Sequence, residues 1–290
     1  LQDGARWGVS LEYVVEESPL GTGGAIKNCE PFLEGERVLV MNGDVLTDAN
    51  LSRLIAEHES RGDDVTISVA AVDRPSEYGL VIMNDGGRVT AFLEKPGWDE
   101  ITTNTINAGM YVIEPTVVRR IPTGRETSFE RDIIPALLAE GVQVGAYATD
   151  CYWLDIGTLS NYLRAHTDIL AGKVDVIVPV PGRKMARGVF CGKNPAIHRT
   201  VRLMGPASIG SHVTIQARAE VGPWAAVGDR CRLAEGVSIS ESVLHEGVIV
   251  GKGSRLHRCI LASGVRVGEE CHLDRVVIAP ASVIEHGTRT

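Results

Sequence analysis

The sequence predicts an α/β domain followed by a three-sided parallel β-solenoid, and two patterns along the chain predict it. Up to about Gly172, strand-like runs alternate with helix-like runs, which is typical of an α/β domain with a largely parallel sheet. Beyond that point aliphatic residues recur every six positions, and a fixed period of this kind indicates a solenoid. We therefore divide the chain into an α/β domain over 1–172, a linker over 173–187 and a solenoid over 188–290.

The helices and strands of the α/β domain follow from local patterns. A helix is predicted over 50–61, where apolar residues share one face. Thr127 and Glu130 fit a capping box that opens a second helix. Thr158 caps a last helix, which Gly172 closes. Runs rich in β-branched residues predict strands over 9–15, 37–41, 65–71, 89–93 and 110–113.

The aliphatic series of the second half keeps its register throughout. Its steps are six residues, except for steps of five at Leu244, Leu261 and Ile278, so that successive coils there are 17 residues apart. Short strands of a β-sandwich are the alternative, but ordinary loops would not hold one register for so long. We expect the aliphatic side chains of this series to point inward: Leu203, Ile209, Ile215, Val221, Val227, Leu233, Ile239, Leu244, Val250, Leu256, Leu261, Val267, Leu273, Ile278 and Ile284.

Composition excludes several classes of partner. Lys and Arg total 29 against 37 Asp and Glu, and no basic run occurs, so we expect no nucleic-acid partner. No apolar run reaches the length of a membrane span. The six cysteines are scattered without metal-ligand spacing, which favours a reducing cytoplasm and no zinc site.

Four short motifs carry candidate chemistry, although each has a plain structural explanation when taken alone. The glycines of 21–24 permit close backbone approach, but they also suit a turn. Asp44 follows a buried strand, where open α/β sheets bind ligands and where turns also lie. Glu94 and Lys95 could bind sugar hydroxyls and a phosphate, or form a solvated ion pair. Asp155 precedes a helix, whose dipole favours an acid.

Taken in order, these motifs resemble those of the sugar-1-phosphate nucleotidylyltransferases. The resemblance covers about 1–172 and implies a Rossmann-like nucleotidyltransferase domain. The solenoid resembles the left-handed β-helix of hexapeptide repeats that many members carry, through which we expect a homo-oligomer. The motifs that carry the resemblance are EESPLGTGGAI (16–26), NGD (42–44), SEYGLV (76–81), FLEKP (92–96), NAGMYV (107–112) and WLDIGT (153–158).

The resemblance also implies a role for each matched residue. By position in these motifs, Gly21 and Thr22 would lie against the nucleotide base, Asp44 and Asp155 would hold one Mg²⁺, Gly79, Glu94 and Asn107 would contact the sugar, and Lys95 would bind the sugar phosphate. The substrates would be a nucleoside triphosphate and a sugar 1-phosphate. The attacking phosphate is already an anion, so catalysis would depend on positioning and charge neutralisation rather than on a general base.

Several functions stay open at this point. The mannose-1-phosphate guanylyltransferase branch is the leading interpretation, and glucose-1-phosphate thymidylyl-, adenylyl- or uridylyltransferases are its alternatives. A non-catalytic regulatory subunit that binds sugar nucleotides is a further alternative. A hexapeptide-repeat acyltransferase is less favoured, because such enzymes usually insert a loop between coils and here the register runs unbroken from Leu203 to Ile284.

One departure from the family pattern leads to a further expectation. The family opens with a GGxGTRLxPLT loop and a PKP segment, and neither occurs in this sequence. The resemblance therefore implies a chain that lacks the first βα units of its domain. Because that loop supplies donors to the triphosphate, we expect the 290 residues alone to be inactive.

Overall fold

The structure is a computed structural model that describes residues 3–148, 150–175, 182–184 and 188–290. The chain forms two compact units. One comprises Leu1–Val45 with Ala49–Trp153, and the other comprises Leu46–Asp48 with Leu154–Thr290. Much of the predicted linker, namely 176–181 and 185–187, lies outside the described residues.

The first unit contains helices on both faces of one sheet. Its helices are α1 (Gly21–Asn28), α2 (Leu51–Arg61), α3 (Pro115–Arg120) and α4 (Ile134–Ala139). The chain also has strands β1 (Val38–Met41), β2 (Val45–Thr47), β3 (Val65–Ala71), β4 (Gly79–Met83), β5 (Val89–Glu94), β6 (Thr105–Ile113), β7 (Val144–Ala148) and β8 (Trp153–Asp155). Short 3-10 turns lie at Ala5–Trp7, Glu30–Phe32, Pro75–Glu77 and Trp98–Glu100.

The sheet of this unit is mixed, and the expectation of a largely parallel sheet is wrong. Its strand order is β5-β4-β6-β3-β7, and β1 also pairs with β6. Among the described strands of this sheet, β3 and β7 pair in parallel, whereas the other pairs are antiparallel. The link between β4 and β5 is too short for the crossover that parallel strands require, so these strands form a hairpin.

Side chains of the central strand β6 alternate between two cores, as a pleated strand requires. Tyr111 and Ile113 pack with α1, α3 and α4 on one face, and Met110 and Val112 pack with α2 on the other. All four side chains are buried. The α/β prediction is therefore confirmed, with a core on each face of the sheet.

Local sequence patterns predict some ends of helices and strands correctly and others wrongly. Helix α2 begins after Asn50, whose side-chain oxygen accepts a hydrogen bond from Arg53 N at 3.0 Å. The predicted capping box at Thr127 is wrong, because the cap is Ser128, whose Oγ accepts from Arg131 N at 3.1 Å. A π-helical turn, Phe129–Ile133, then leads into α4. The segment 9–15, predicted as a strand, forms none.

The second unit is a parallel β-solenoid with three faces, which confirms that prediction. The first face is formed by Arg183–Lys184, Val189–Cys191, Ala207–Ile209, Ala225–Val227, Val243–Leu244, Ile260–Leu261 and Val277–Ile278. The second face is formed by Ala196–Ile197, Thr214–Ile215, Arg232–Leu233, Ile249–Val250, Arg266–Val267 and Val283–Ile284. The third face is formed by Arg202–Leu203, Glu220–Val221, Ser238–Ser240, Arg255–His257 and His272–Asp274. Apart from Arg183–Lys184, which is antiparallel, each strand pairs in parallel with the equivalent strand of the next coil.

The solenoid interior is aliphatic, as the series predicts. Ile209, Ile215 and Val221 have at most 1% of their surface exposed. Coil length changes once along the solenoid: Ile209 pairs with Val227, whereas Leu244 pairs with Leu261. The number of residues between paired positions of successive coils therefore falls from 18 to 17.

Helix α5 (Leu159–Leu170) belongs to the solenoid unit and packs on its first face. Thr158 caps it by accepting from Asn161 N at 3.2 Å. The ring of Tyr162 lies 4.9 Å from that of His166, and its hydroxyl is hydrogen-bonded to His245 Nε2 at 3.2 Å. These rings line a cavity of about 300 Å³ between helix and solenoid. Strands β2 and β8, most of whose residues fall in this unit, pair with each other.

Candidate functional site

The glycine-rich segment forms helix α1, not the turn that its composition suggests. Gly21 begins the helix with a φ of +70°, and the Thr127 carbonyl accepts hydrogen bonds from Gly23 N at 2.9 Å and Gly24 N at 3.1 Å. A Cβ at Gly21 would lie 2.7 Å from that carbonyl oxygen. The glycines therefore allow the start of α1 to approach another backbone segment closely.

Replacing Gly21 by Ala should lower the free energy of unfolding by about 1–3 kcal/mol, because an L side chain would have both an unfavourable φ and a backbone clash. Gly35 is a matched control, since its φ of +74° is similar but a Cβ there would meet nothing within 4 Å. Urea unfolding of Gly21→Ala and Gly35→Ala should show the larger loss for Gly21. Equal losses would mean that the contact with Thr127 contributes nothing.

Thr22, the next residue, is linked to the start of the π-helical turn by two hydrogen bonds. Its Oγ1 donates to Glu130 Oε2 at 2.5 Å and accepts from Phe129 N at 2.9 Å. Glu130 Oε1 accepts from the Tyr111 hydroxyl at 2.9 Å, and that hydroxyl accepts from Asn107 Nδ2 at 2.6 Å. A continuous chain of hydrogen bonds therefore connects Thr22 with Asn107, two residues to which the family resemblance gives contacts with different substrates.

The predicted sugar contacts lie side by side on three neighbouring strands. Gly79 on β4 pairs with Glu94 on β5, and the next residue of β4, Leu80, pairs with Ile106 on β6, beside Asn107. A Cβ at Gly79 would lie 2.7 Å from Glu94 Oε2. The glycine thus leaves room for the carboxylate at this point of the sheet.

Burial and charge both act on Glu94. Its partial burial raises the pKa of the carboxyl above the usual value, and the negative charge of Glu130 raises it further. The positive charges of Arg131 and Lys95 oppose this rise in pKa. Lys95 itself directly follows the strand, is exposed and has a φ of +48°. Two carboxylates and two cations therefore interact around one end of β5.

The two predicted metal ligands belong to different units of the structure. Asp44 follows β1 in the first unit and is exposed, and the preceding Asn42 is fixed by a hydrogen bond from its N to Gly109 O at 2.8 Å. Asp155 ends β8 in the second unit, and its Oδ1 accepts from Gly157 N at 2.6 Å. Within the described residues, no group of three or more His, Cys, Asp or Glu could hold a metal ion.

The sequence analysis did not single out Glu130 and Tyr111, which the structure places next to Thr22 and Asn107. Glu130 fitted a helix-capping pattern, and Tyr111 stood inside a buried strand. The sequence carries no specific signal for Glu130, because Arg131 and Asp132 are also polar residues between Phe129 and Ile133. Glu130 and Tyr111 line a cavity of about 450 Å³ in the first unit, together with Thr22, Ala25, Ile26, Cys29, Leu33, Val38, Leu39, Val40, Met41, Asn42, Gly43 and Phe129.

Comparison with known families matches both parts of the chain. The family described as nucleotidyl transferase matches residues 1–172. The family described as the GMPPB C-terminal domain matches residues 203–289, within the solenoid.

Individual relatives give the same result. A mannose-1-phosphate guanylyltransferase from Mycobacterium tuberculosis is 36% identical over 88% of this chain and 65% of its own length. A UTP–glucose-1-phosphate uridylyltransferase from Synechocystis is 30% identical over 88% of this chain and 69% of its own length. A crystal structure of a candidate glucose-1-phosphate thymidylyltransferase from Bacillus anthracis covers 60% of this chain and 70% of its own, with a TM-score of 0.53 and 23% identity. That last likeness concerns the fold alone.

The chain spans 65% of the length of the mycobacterial relative that it matches. Across the part of the chain that the structure describes, no helix is long and apolar enough to cross a membrane.

Proposed function

Since the chain belongs to the nucleotidyl transferase family, we propose that it transfers a nucleotidyl group from a nucleoside triphosphate to a sugar 1-phosphate, most specifically guanylyl transfer to mannose 1-phosphate. The observation that carries the proposal is the row formed by Gly79, Glu94 and Asn107 on adjacent strands, with Lys95 directly after Glu94. The mycobacterial guanylyltransferase supports this choice of base and sugar. The Synechocystis uridylyltransferase supports UTP and glucose 1-phosphate as the second candidate pair.

The residues of the site suit this reaction. Glu94 can accept hydrogen bonds from sugar hydroxyls, and the backbone at Gly79 can approach the sugar because no Cβ stands in the way. The Lys95 ammonium would hold the sugar phosphate, an oxygen of which attacks the α-phosphorus while pyrophosphate leaves. Thr22 would fix the nucleotide base beside helix α1. These residues bring two anions together and orient them for in-line attack.

A divalent metal ion is the cofactor that this family generally uses, and we propose Mg²⁺ here. The donors present fit it, since Asp44 and Asp155 offer carboxylate oxygens and Mg²⁺ is usually held by one or two carboxylates together with substrate phosphates. When bound, the ion would neutralise phosphate charge. Asp155 is held in place for this by its hydrogen bond from Gly157 N.

We propose a cytoplasmic location and self-association through the solenoid, whose Val277 and Val283 are exposed aliphatic side chains. Light scattering of the purified protein would give its oligomeric state.

The acyltransferase alternative gains no support, because the coils from Ala207 to Ile284 stack in continuous register.

The proposed activity is tested by pyrophosphate release from the purified full-length gene product, because the 290 residues by themselves contain no GGxGTRLxPLT loop and are expected to be inactive. GTP, UTP, dTTP and ATP are each combined with mannose 1-phosphate and glucose 1-phosphate, with Mg²⁺ present or chelated. The highest kcat/KM is expected for GTP with mannose 1-phosphate. Preference for another pair would reassign the substrates, and no release with any pair would contradict the proposed transferase.

Lys95→Ala should raise KM for the sugar 1-phosphate by about tenfold or more and leave KM for the nucleoside triphosphate nearly unchanged, because a charge-assisted bond to one substrate is lost. Lys193, an exposed lysine of the solenoid, is the matched control, and Lys193→Ala should change neither constant. Steady-state kinetics with each substrate varied in turn measures the effect. Equal rises in both KM values would show that Lys95 has a different role.

A further inference from the structure

The carboxylate of Glu130 is the meeting point of three hydroxyl donors from three parts of the first unit. Oε2 accepts from Thr22 Oγ1 at 2.5 Å and from Ser128 Oγ at 3.0 Å, and Oε1 accepts from the Tyr111 hydroxyl at 2.9 Å. A carboxylate bears only acceptors when it is ionised, so it can receive all three bonds at once. Hydrogen bonds to an ionised group are the stronger kind.

This carboxylate also fixes the orientation of Asn107. Because the Tyr111 hydroxyl donates its single proton to Glu130, its oxygen is left to accept, and it accepts from Asn107 Nδ2. Asn107 Oδ1 accepts from Gly109 N at 3.0 Å. Both ends of the Asn107 amide are thereby assigned, and the direction of the whole chain of bonds follows from the charge on Glu130.

Capping of the following helix does not account for Glu130. The helix that follows is already capped by Ser128 Oγ, which accepts from Arg131 N. Glu130 is only partly buried and, like Tyr111 and Thr22, lines the 450 Å³ cavity. Its negative charge also acts on Glu94, one of the proposed sugar contacts, and raises the pKa of that carboxyl. Glu130 therefore interacts with residues assigned to both substrates.

We propose that Glu130 is a positioning residue that couples the nucleotide end of the site, through Thr22, to the sugar end, through Tyr111 and Asn107. This inference rests on the proposed function, because that function assigns Thr22 and Asn107 to different substrates. In this role Glu130 acts through Thr22 and Tyr111 rather than on a substrate directly. It holds the two binding regions in one fixed arrangement, so that a substitution of Glu130 weakens the binding of both substrates.

Three conservative variants separate the two arms of this arrangement. Tyr111→Phe breaks the arm to Asn107 and should raise KM for the sugar 1-phosphate by about tenfold, with little change for the nucleoside triphosphate. Thr22→Val breaks the other arm and should raise only KM for the nucleoside triphosphate. Glu130→Gln replaces the anion by an amide of the same shape and should raise both constants. Glu126→Gln, at an exposed glutamate of the preceding loop, is the matched control.

A second measurement does not depend on turnover. The side-chain amide of Asn107, followed by ¹⁵N NMR, should shift in Tyr111→Phe and in Glu130→Gln but not in Glu126→Gln. Unchanged kinetics and an unchanged Asn107 amide in Glu130→Gln would overturn the proposal. Absence of pyrophosphate release by the full-length wild-type protein with every substrate pair would instead refute the proposed function, and the Asn107 amide would then decide the link to Glu130 by itself. Melting temperatures of the variants identify any loss of folding.

Discussion

Replacing Asp155 by Asn should reduce Mg²⁺-dependent nucleotidyl transfer by about 100-fold or more. The substitution keeps the shape of the side chain, and its amide oxygen can still accept the hydrogen bond from Gly157 N. What is lost is one negative charge at the proposed metal site, and a bound metal ion supplies several kcal/mol of charge stabilisation in metal-assisted phosphoryl transfer. Asp44→Asn should have an effect of similar size.

Kinetics at several Mg²⁺ concentrations measures this effect, with Asp150→Asn as a control at an exposed aspartate close in sequence. If Asp44 and Asp155 hold the same ion, the double variant should be little worse than either single variant, because the second substitution removes a ligand of an ion already lost. Fully multiplicative losses, or a normal rate for Asp155→Asn, would refute the shared metal site.

Acidification should destabilise the solenoid unit through His166 on helix α5. Burial against the solenoid and, to a smaller extent, the nearby His245 lower the pKa of His166 from 6.5 to about 4. The unfolded chain therefore binds a proton between these two values that the folded chain does not bind. Stability contributed by this group is complete above pH 6.5, falls as pH decreases from 6.5 towards 4, and changes no further below that. The full loss is about 3 kcal/mol.

His166→Phe tests this expectation, because a phenyl ring can still pack against Tyr162 but cannot take up a proton. Urea unfolding is measured between pH 4 and 7.5 for the wild type, for His166→Phe and for His286→Gln, at an exposed histidine of the last coil. The difference in unfolding free energy between wild type and His166→Phe should depend on pH in the stated window, whereas that for His286→Gln should be small. A pH-independent difference for His166→Phe would contradict the assignment.

Features that depend on neighbours in sequence were predictable. The solenoid register follows from a repeated local pattern, in which each coil buries an aliphatic residue against the next coil, so that the sequence shows it directly. The cap Thr158 lies next to the helix that it begins. The strand direction of the sheet was not predictable in this way, because the hairpin of β4 and β5 interrupts an otherwise alternating strand and helix pattern.

The candidate site was predictable only in part, and for a similar reason. Motif resemblance picked out Gly79, Glu94 and Asn107, and the strand register places these residues next to one another. Glu130 was hidden because its partner Thr22 lies 108 positions away, while a local pattern already explained it as a capping residue. Contacts between residues that are far apart in the chain leave no local pattern in a single sequence.

The change of coil length has a consequence for how the solenoid can vary in evolution. Leu244 and Leu261 occupy equivalent places in successive coils, so removal of the 17 residues from 244 to 260 would join two equivalent positions and leave every inward side chain in phase. Removal of two or three residues would instead rotate all later side chains relative to the interior. The domain can therefore become longer or shorter in evolution only by whole coils, or by the loss of one residue at a corner, as in its 17-residue coils.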